Sequence, residues 1–253
     1  MTPTSLRGAL IIAVACLAAL AAVATPTAVS AAAPSASSAA GSPSEAEILT
    51  KAAPAADPRV VQLATAAMAC AQSEGVGVGA TRLAVIDYSR SSLSPRLWVF
   101  DLAAQRLLYE DVVAHGQGSG GDVPDRFSND EGTHASSLGL FLTADTYTGH
   151  NGYSLRMLGL EPGVNDAALE RAIVMHGAAY VDPQAGRRQG RLGRSWGCPA
   201  LRSAVAKPII DVLKDGQFVF SYYPDQDWLA RSALLKCPAA RVAQKLAGRS
   251  GTS

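Results

Sequence analysis

The sequence predicts a mainly β domain carrying a few helices, and three observations predict it. Between Arg82 and Tyr223, short runs rich in Val, Ile, Leu, Phe, Tyr and Trp recur and are broken by Gly, Ser, Pro or polar turns. Apolar residues at helical spacing are confined to two segments before that stretch and one inside it. The chain has 253 residues and no visible internal repeat, so one principal core with tails is expected.

Composition excludes some functions. The formal charge is +1, with no domain-wide basic excess of the kind nucleic-acid binding needs. Hydrophobic residues make up 48 % of the chain, but much of that is alanine, which buries little area per residue.

The first 30 residues read as a Sec-type signal peptide: Arg7, an apolar run from about Ala9 to Val23, then small residues such as Ala28-Val29-Ser30. An uncleaved anchor is the alternative, and Cys16 lacks the leucine of a lipoprotein box. Export to the periplasm or cell envelope is therefore expected, with no stable membrane insertion after cleavage. Residues 31–45 read as a disordered Ala/Ser/Pro-rich linker. Residues 46–80 read as a helical segment packed on the core, 81–237 as the principal folded domain and 238–253 as a tail.

Within the helical segment, Ser42-Pro43-Ser44-Glu45 has capping-box spacing before "EAEILTKA", and Pro54 ends that helix. Asp57-Pro58 opens a second helix, and the glycines of "EGVGVG" close it. From Arg82 the period changes. "RLAVIDYS", "RLWVFDL" and "RLLYEDVVAHG" read as consecutive antiparallel strands, followed by strand candidates at 137–143, 152–158, 171–177 and 216–223. A helix over Ser203 to Lys214 precedes the last of them. Two long polar loops, Gly116 to Ser136 and Asp182 to Gly197, exceed ordinary connections, and the second leads directly into Cys198.

An exported chain without its leader keeps Cys70, Cys198 and Cys237, and three cysteines cannot all pair. Either Cys70 and Cys237, which flank the domain, are bridged and Cys198 is free, or both are buried free thiols. Cys198 lies in "RSWGCPALR", between Gly197 and Pro199 at a loop end. No C-x-x-C or H-x-x-x-H pattern supports a metal, and none is expected. A reactive thiol must have its pKa drawn down from roughly 8.5, since only the thiolate attacks, and that calls for an imidazole. His134 and His150 sit in polar loops. His115 and His176 each end an apolar run and precede a glycine, and the residues alone separate these two only weakly, in favour of His176.

"MHG" followed by "SWGCPALR" resembles the catalytic signature of the YkuD-type L,D-transpeptidases, over about Arg82 to Pro224. The resemblance is closest to the branch with "HGxGSG", "RFSN", "GRLGRSWGCPA" and "YYPDQDW", present here as 115–120, 126–129, 190–200 and 222–228. It implies a YkuD-like β-sandwich or mixed-sheet core and covalent catalysis on peptidoglycan stem peptides without a cofactor. By position it makes Cys198 the nucleophile, His176 the base, and the Gly177 carbonyl the group orienting the imidazole. The N–H groups of Gly197 and Cys198 would face the oxyanion.

Two positions depart from the family pattern. Trp196 stands where a histidine commonly precedes Gly-Cys, and Ala200 where an Arg or Asn commonly follows the cysteine. Arg202 either takes that second role or pairs with an acidic residue. Ser195 either assists near the thiol or closes a turn. Arg187, Arg188, Arg191 and Arg194 are expected to draw in stem carboxylates or to form a solvated face, and Trp196 and Tyr153 to wall the cleft or to lie in the core. A thiol amidohydrolase acting on stems or protein anchors, and a non-catalytic peptidoglycan-binding protein, are the competing readings. The oligomeric state and the acceptor are not legible.

Overall fold

A computed structural model describes residues 43–237; the expected signal peptide, most of the linker and the tail beyond Cys237 lie outside the described residues. Two helices lead in. The first, α1 (Glu45–Ala52), is capped by a reciprocal box between Ser44 and Glu47, two residues later than the Ser42 spacing suggested. The second, α2 (Pro58–Ser73), starts at Asp57, whose side chain accepts from Arg59 N–H, with Pro58 at the first position. Its buried stripe of Val60, Val61, Ala64, Ala67, Met68 and Ala71 turns toward the sheet.

Nine strands form one mixed sheet: β1 (Arg82–Asp87), β2 (Leu97–Asp101), β3 (Arg106–Asp111), β4 (Val113–Ala114), β5 (Gly139–Gly149), β6 (Gly152–Gly159), β7 (Val174–Ala178), β8 (Ala200–Arg202) and β9 (Phe218–Tyr222). Their order in space is β3-β2-β1-β9-β5-β6-β7-β8-β4. The mainly β, mixed-sheet class is therefore the observed one. The first three strands form the antiparallel meander expected of them, but β1 runs parallel to β9 and β7 parallel to β8. Burial explains the residue patterns. Every residue of β2 and β9 is buried, so "LWVFD" and "FVFSY" are mostly apolar runs without alternation, whereas the edge strand β3 is only partly buried.

Three further α-helices lie among the described residues: α3 (Pro183–Gln189), α4 (Ser203–Leu213) and α5 (Gln226–Arg231). α4 buries Ala206, Ile209, Ile210 and Leu213 on the main core. α5 buries Trp228, whose indole N–H donates to Glu161 Oε2 at 3.2 Å. Among the described residues no helix is long and apolar enough to cross a membrane.

The sheet register positions the site. Strand β8 begins two residues after Cys198 and has Ala200 between His176 of β7 on one side and Ala114 of β4 on the other. Both His-Gly pairs, His115-Gly116 and His176-Gly177, are thus brought to the same end of the sheet as the cysteine loop.

Candidate active site

The structure joins Cys70 on α2 to Cys237 by a disulfide, with Cα atoms 5.8 Å apart. Cys198 is free and buried, with 7 % of its surface exposed. Its loop is built from backbone meeting backbone. Gly197 has φ +117°, and a Cβ there would stand 2.6 Å from Ile173 Cδ1 and 2.9 Å from the Ala135 carbonyl oxygen. A Cβ on Gly116 would stand 2.2 Å from the His134 oxygen and 2.7 Å from Gly197 Cα. The two glycines let the "HGxGSG" loop lie directly on the cysteine turn. Ser195 N–H donates to the His115 oxygen at 3.0 Å, and Gln117 N–H to the Ser195 oxygen at 2.8 Å. Ser136 Oγ accepts from Gly116 N–H and donates to the Gly197 oxygen.

Cys198 and His176 line one cavity of about 240 Å³, with Ser195, Trp196, Arg194, Tyr180, His150 and Asn151. A larger open groove of about 840 Å³ between α1 and α2 has no cysteine or histidine in its lining. His176 Nδ1 lies 3.0 Å from the Gly177 oxygen. A carbonyl only accepts, so Nδ1 carries the proton and Nε2 keeps its lone pair. Burial holds the His176 pKa below its ordinary 6.5, partly opposed by that hydrogen bond, so the resting ring is a neutral base. Burial also pushes the Cys198 thiol up, opposed by the Val174 N–H and the Arg171 charge. The sulfur's hydrogen-bond partners are Val174 N–H at 3.5 Å and the Ala172 carbonyl at 3.7 Å. At rest the pair is thus a thiol and a neutral imidazole, not a preformed thiolate and imidazolium.

His115 is placed differently. It is 1 % exposed, with Nδ1 2.8 Å from the Nη2 of Arg96, a guanidinium that is itself fully buried. Arg96 also donates to the Val113 and Arg90 carbonyls and lies 5.2 Å over the Tyr88 ring. Burial first, and the Arg96 charge second, pull the His115 pKa down to about 3, so this ring is a neutral acceptor in a buried network and does not line the cavity.

The remaining expected residues divide. Ser195 Oγ donates to the Cys198 oxygen at 2.6 Å and accepts from Gly197 N–H at 3.2 Å, closing the turn. The Gly197 N–H is thereby occupied and does not stand free beside Cys198 N–H as an oxyanion donor, contrary to the arrangement the resemblance implied. Trp196 is 70 % exposed and stacks on His134, with ring centroids 4.7 Å apart and planes 8° from parallel. Arg194 lines the cavity while its guanidinium donates to the Gly120 and Gln117 carbonyls.

Three residues point elsewhere. Arg202 makes a bidentate pair with the buried carboxylate of Asp111 at 2.7 and 2.6 Å, which accounts for it without a substrate. Arg191 donates to the Leu192 carbonyl and does not line the cavity. Tyr153 is not in the cavity wall either: its neighbour Ser154 pairs with His176, so the strand alternation turns Tyr153 to the other face, where its hydroxyl donates to Asp211 of α4 at 2.8 Å.

Sequence reasoning missed four residues around the sulfur. His150 and Asn151 form the turn between β5 and β6 and reach the cavity from the far end of that hairpin. Tyr180 follows β7, and burial pushes its pKa up to about 12. Arg171 belongs to a segment read as strand, but β7 begins only at Val174, because Ala172 takes φ +52° and turns the chain. For His150 and Asn151 the only signal was the turn dipeptide between two glycines.

A model of the L,D-transpeptidase catalytic domain family matches residues 52–222 of this chain. No curated protein matches it. Among solved structures, an L,D-transpeptidase from Mycobacterium smegmatis is 14 % identical, with 57 % of this chain and 59 % of that one covered and a TM-score of 0.35. An L,D-transpeptidase from Stackebrandtia nassauensis is 13 % identical, covering 71 % of this chain and 90 % of that one, with a TM-score of 0.33. The chain therefore spans less than two-thirds of the length of the first of these. With a free cysteine and an imidazole on one cavity wall and the family match running across both, the chain belongs to the L,D-transpeptidase catalytic domain family.

Proposed function

We propose that this chain is an exported cysteine L,D-transpeptidase of the cell envelope, with Cys198 as nucleophile and His176 as base. One observation carries the reading: the single free cysteine of residues 43–237 shares a small cavity with an imidazole whose tautomer is fixed by the next residue's carbonyl. The other two cysteines of that region are bonded to each other and cannot react.

The donor is a stem tetrapeptide ending in D-Ala. As its carbonyl reaches Sγ, the thiol proton passes to His176 Nε2 and the sulfur attacks the carbon of the bond between the L-centre and D-Ala. The tetrahedral intermediate collapses, the C–N bond breaks, the imidazolium returns its proton to the amine, and D-Ala leaves. A thioester on Cys198 remains. An amine of a second stem, deprotonated by His176, attacks the thioester and restores the thiol, leaving a new amide cross-link; water in its place gives a shortened stem. The Cys198 N–H is the oxyanion donor in this reading, the Gly197 N–H being held by the Ser195 hydroxyl. Arg194 at the cavity wall supplies positive charge toward stem carboxylates.

Incubating muropeptides with the wild type and with Cys198→Ala, and resolving the products by mass spectrometry, tests this. Free D-Ala together with stem dimers, both absent with Cys198→Ala, is the expected outcome. Shortened stems without dimers assign a hydrolase, and unchanged muropeptides that still bind assign a binding protein.

A further inference from the structure

One cation beside the sulfur's own hydrogen-bond partners in the chain is not used by the transfer chemistry. Arg171 immediately precedes Ala172, whose carbonyl accepts from Cys198 Sγ, and stands three residues before Val174, whose N–H donates to it. Its guanidinium forks across the polar loop on the other side of the cysteine turn. Nη1 donates to the Ser128 carbonyl and to Ser137 Oγ, both at 2.7 Å. Nη2 donates to the Ala135 carbonyl at 2.7 Å and to Thr133 Oγ1 at 3.4 Å. That Ala135 oxygen is the same atom a Cβ on Gly197 would approach to 2.9 Å, so the fork sits against the backbone beside Cys198. All four acceptors are neutral, and among the described residues Arg171 makes no salt bridge, so its charge is not cancelled by contact.

The other charged and titratable groups around the sulfur do not supply this charge. His176 on β7 is neutral at rest. Tyr180 after β7, and the buried Tyr88 after β1, are phenols pushed up to about 12. Arg194 in the loop before Cys198 lines the cavity with its guanidinium held on the Gly120 and Gln117 carbonyls, and the cation whose charge acts on the sulfur is Arg171. His150 reaches the cavity from the β5–β6 turn. Asp130 faces Arg171 from the loop, exposed and accepting from Ser128 Oγ at 3.3 Å.

We propose that Arg171 is a positioning residue with two tasks: its charge stabilises the Cys198 thiolate as the proton leaves for His176, and its fork fixes residues 128–137 against the cysteine turn. The first task rests on Cys198 being the nucleophile; the geometry of the second does not. A buried sulfur without an opposite charge would strongly resist ionisation. A guanidinium suits this place because it stays charged when half-buried and holds several carbonyls at once.

The test is the pH dependence of Cys198 alkylation by iodoacetamide, read by intact-protein mass in Arg171→Lys and Arg171→Met. Both lose the fork's bonds, and only one loses the charge. Arg171→Met is expected to raise the alkylation midpoint by roughly one pH unit and slow the reaction at pH 7 about tenfold, with Arg171→Lys within about half a unit of wild type. Ser137→Ala, which removes one acceptor and no charge, should leave the midpoint where it is. An unchanged midpoint in Arg171→Met, or a rise in Arg171→Lys as large as in Arg171→Met, overturns the proposal. Should Arg171→Met not fold, Arg171→Lys decides alone: a rise of a full unit overturns the charge role, and a midpoint near wild type supports it. Alkylation needs no peptidoglycan, so these shifts in a protein that releases no D-Ala would refute the transpeptidase reading and leave this one standing.

Discussion

Two places in the molecule carry the same local sequence, a short apolar run followed by His-Gly, and they do opposite things. At the end of β4, His115 is sealed against a buried guanidinium and held neutral down to a pKa of about 3. In the middle of β7, His176 faces a cavity, and its neighbour's carbonyl fixes which nitrogen is basic. Strand and glycine bring both rings to β8. What differs is the partner of Nδ1: a guanidinium can only donate, so His115 must accept, whereas a carbonyl can only accept, so His176 must donate. One ring is locked into the framework, and the other is left with a lone pair for chemistry.

The largest effect expected from breaking this contrast is on turnover. His176→Ala removes the base, and D-Ala release should fall on the order of 10²–10⁴-fold with the fold intact by circular dichroism. His115→Ala should act on stability instead. It leaves one N–H of the Arg96 Nη2 without its acceptor in the interior, while the other still donates to the Val113 carbonyl, at a cost of about 1–3 kcal/mol in denaturant unfolding. His115→Gln, which restores an acceptor, should recover most of that.

The glycines sharpen the contrast. Gly116→Ala would drive a methyl into the His134 carbonyl and the Gly197 backbone, so about 1–3 kcal/mol of stability and most of the activity should go together. A Cβ on Gly177 meets the Ala206 methyl at 2.8 Å, a contact with a side chain on α4, and the smaller loss is expected there. Thermal unfolding of the two alanine variants orders them.

The two rings also separate by pH. The His115 pKa is depressed on folding, so its contribution to stability is present above pH 6.5 and is lost as pH falls toward about 3; acid unfolding of His115→Gln should be less steep across that window. His176 must be unprotonated to act and is pushed below 6.5, so the acid limb of kcat/KM should fall below pH 6.5. Cys198 must hold its proton at rest and is pushed above 9.0, so the alkaline limb should lie above pH 9.0. An acid limb above pH 7 would give the base role to another group.

Much of the fold was legible because most strands are long enough to show their period. The runs now seen as β1, β2, β5, β6 and β9, and the helices opened by Asp57-Pro58 and over 203–213, were readable from apolar spacing and caps. β8 was not, since three residues carry no period. Helix α3 carried the same Asp-Pro opening as α2, at Asp182-Pro183, but its arginines and glycine hid any apolar face. The parallel pairs β1–β9 and β7–β8 join segments distant in sequence and leave no local mark. For the site, the cysteine turn could be read, because Gly197 and Pro199 announce irregular backbone. The choice between His115 and His176 could not be settled locally, because the deciding partner of His115 is Arg96, and nothing in "SPRLWVF" says that this arginine will be buried. Tyr153 and Arg202 were open for the same reason: strand alternation and an ion pair with Asp111 place them away from the cavity.

The most direct test of the central claim is the intact mass of the protein after exposure to a stem tetrapeptide donor, comparing His176→Ala with His115→Gln. The account predicts that His115→Gln carries the acyl group on Cys198, with loss of D-Ala, at a rate close to wild type, and that His176→Ala carries almost none. Acylation of His176→Ala at the wild-type rate, or its loss in a folded His115→Gln, would contradict it.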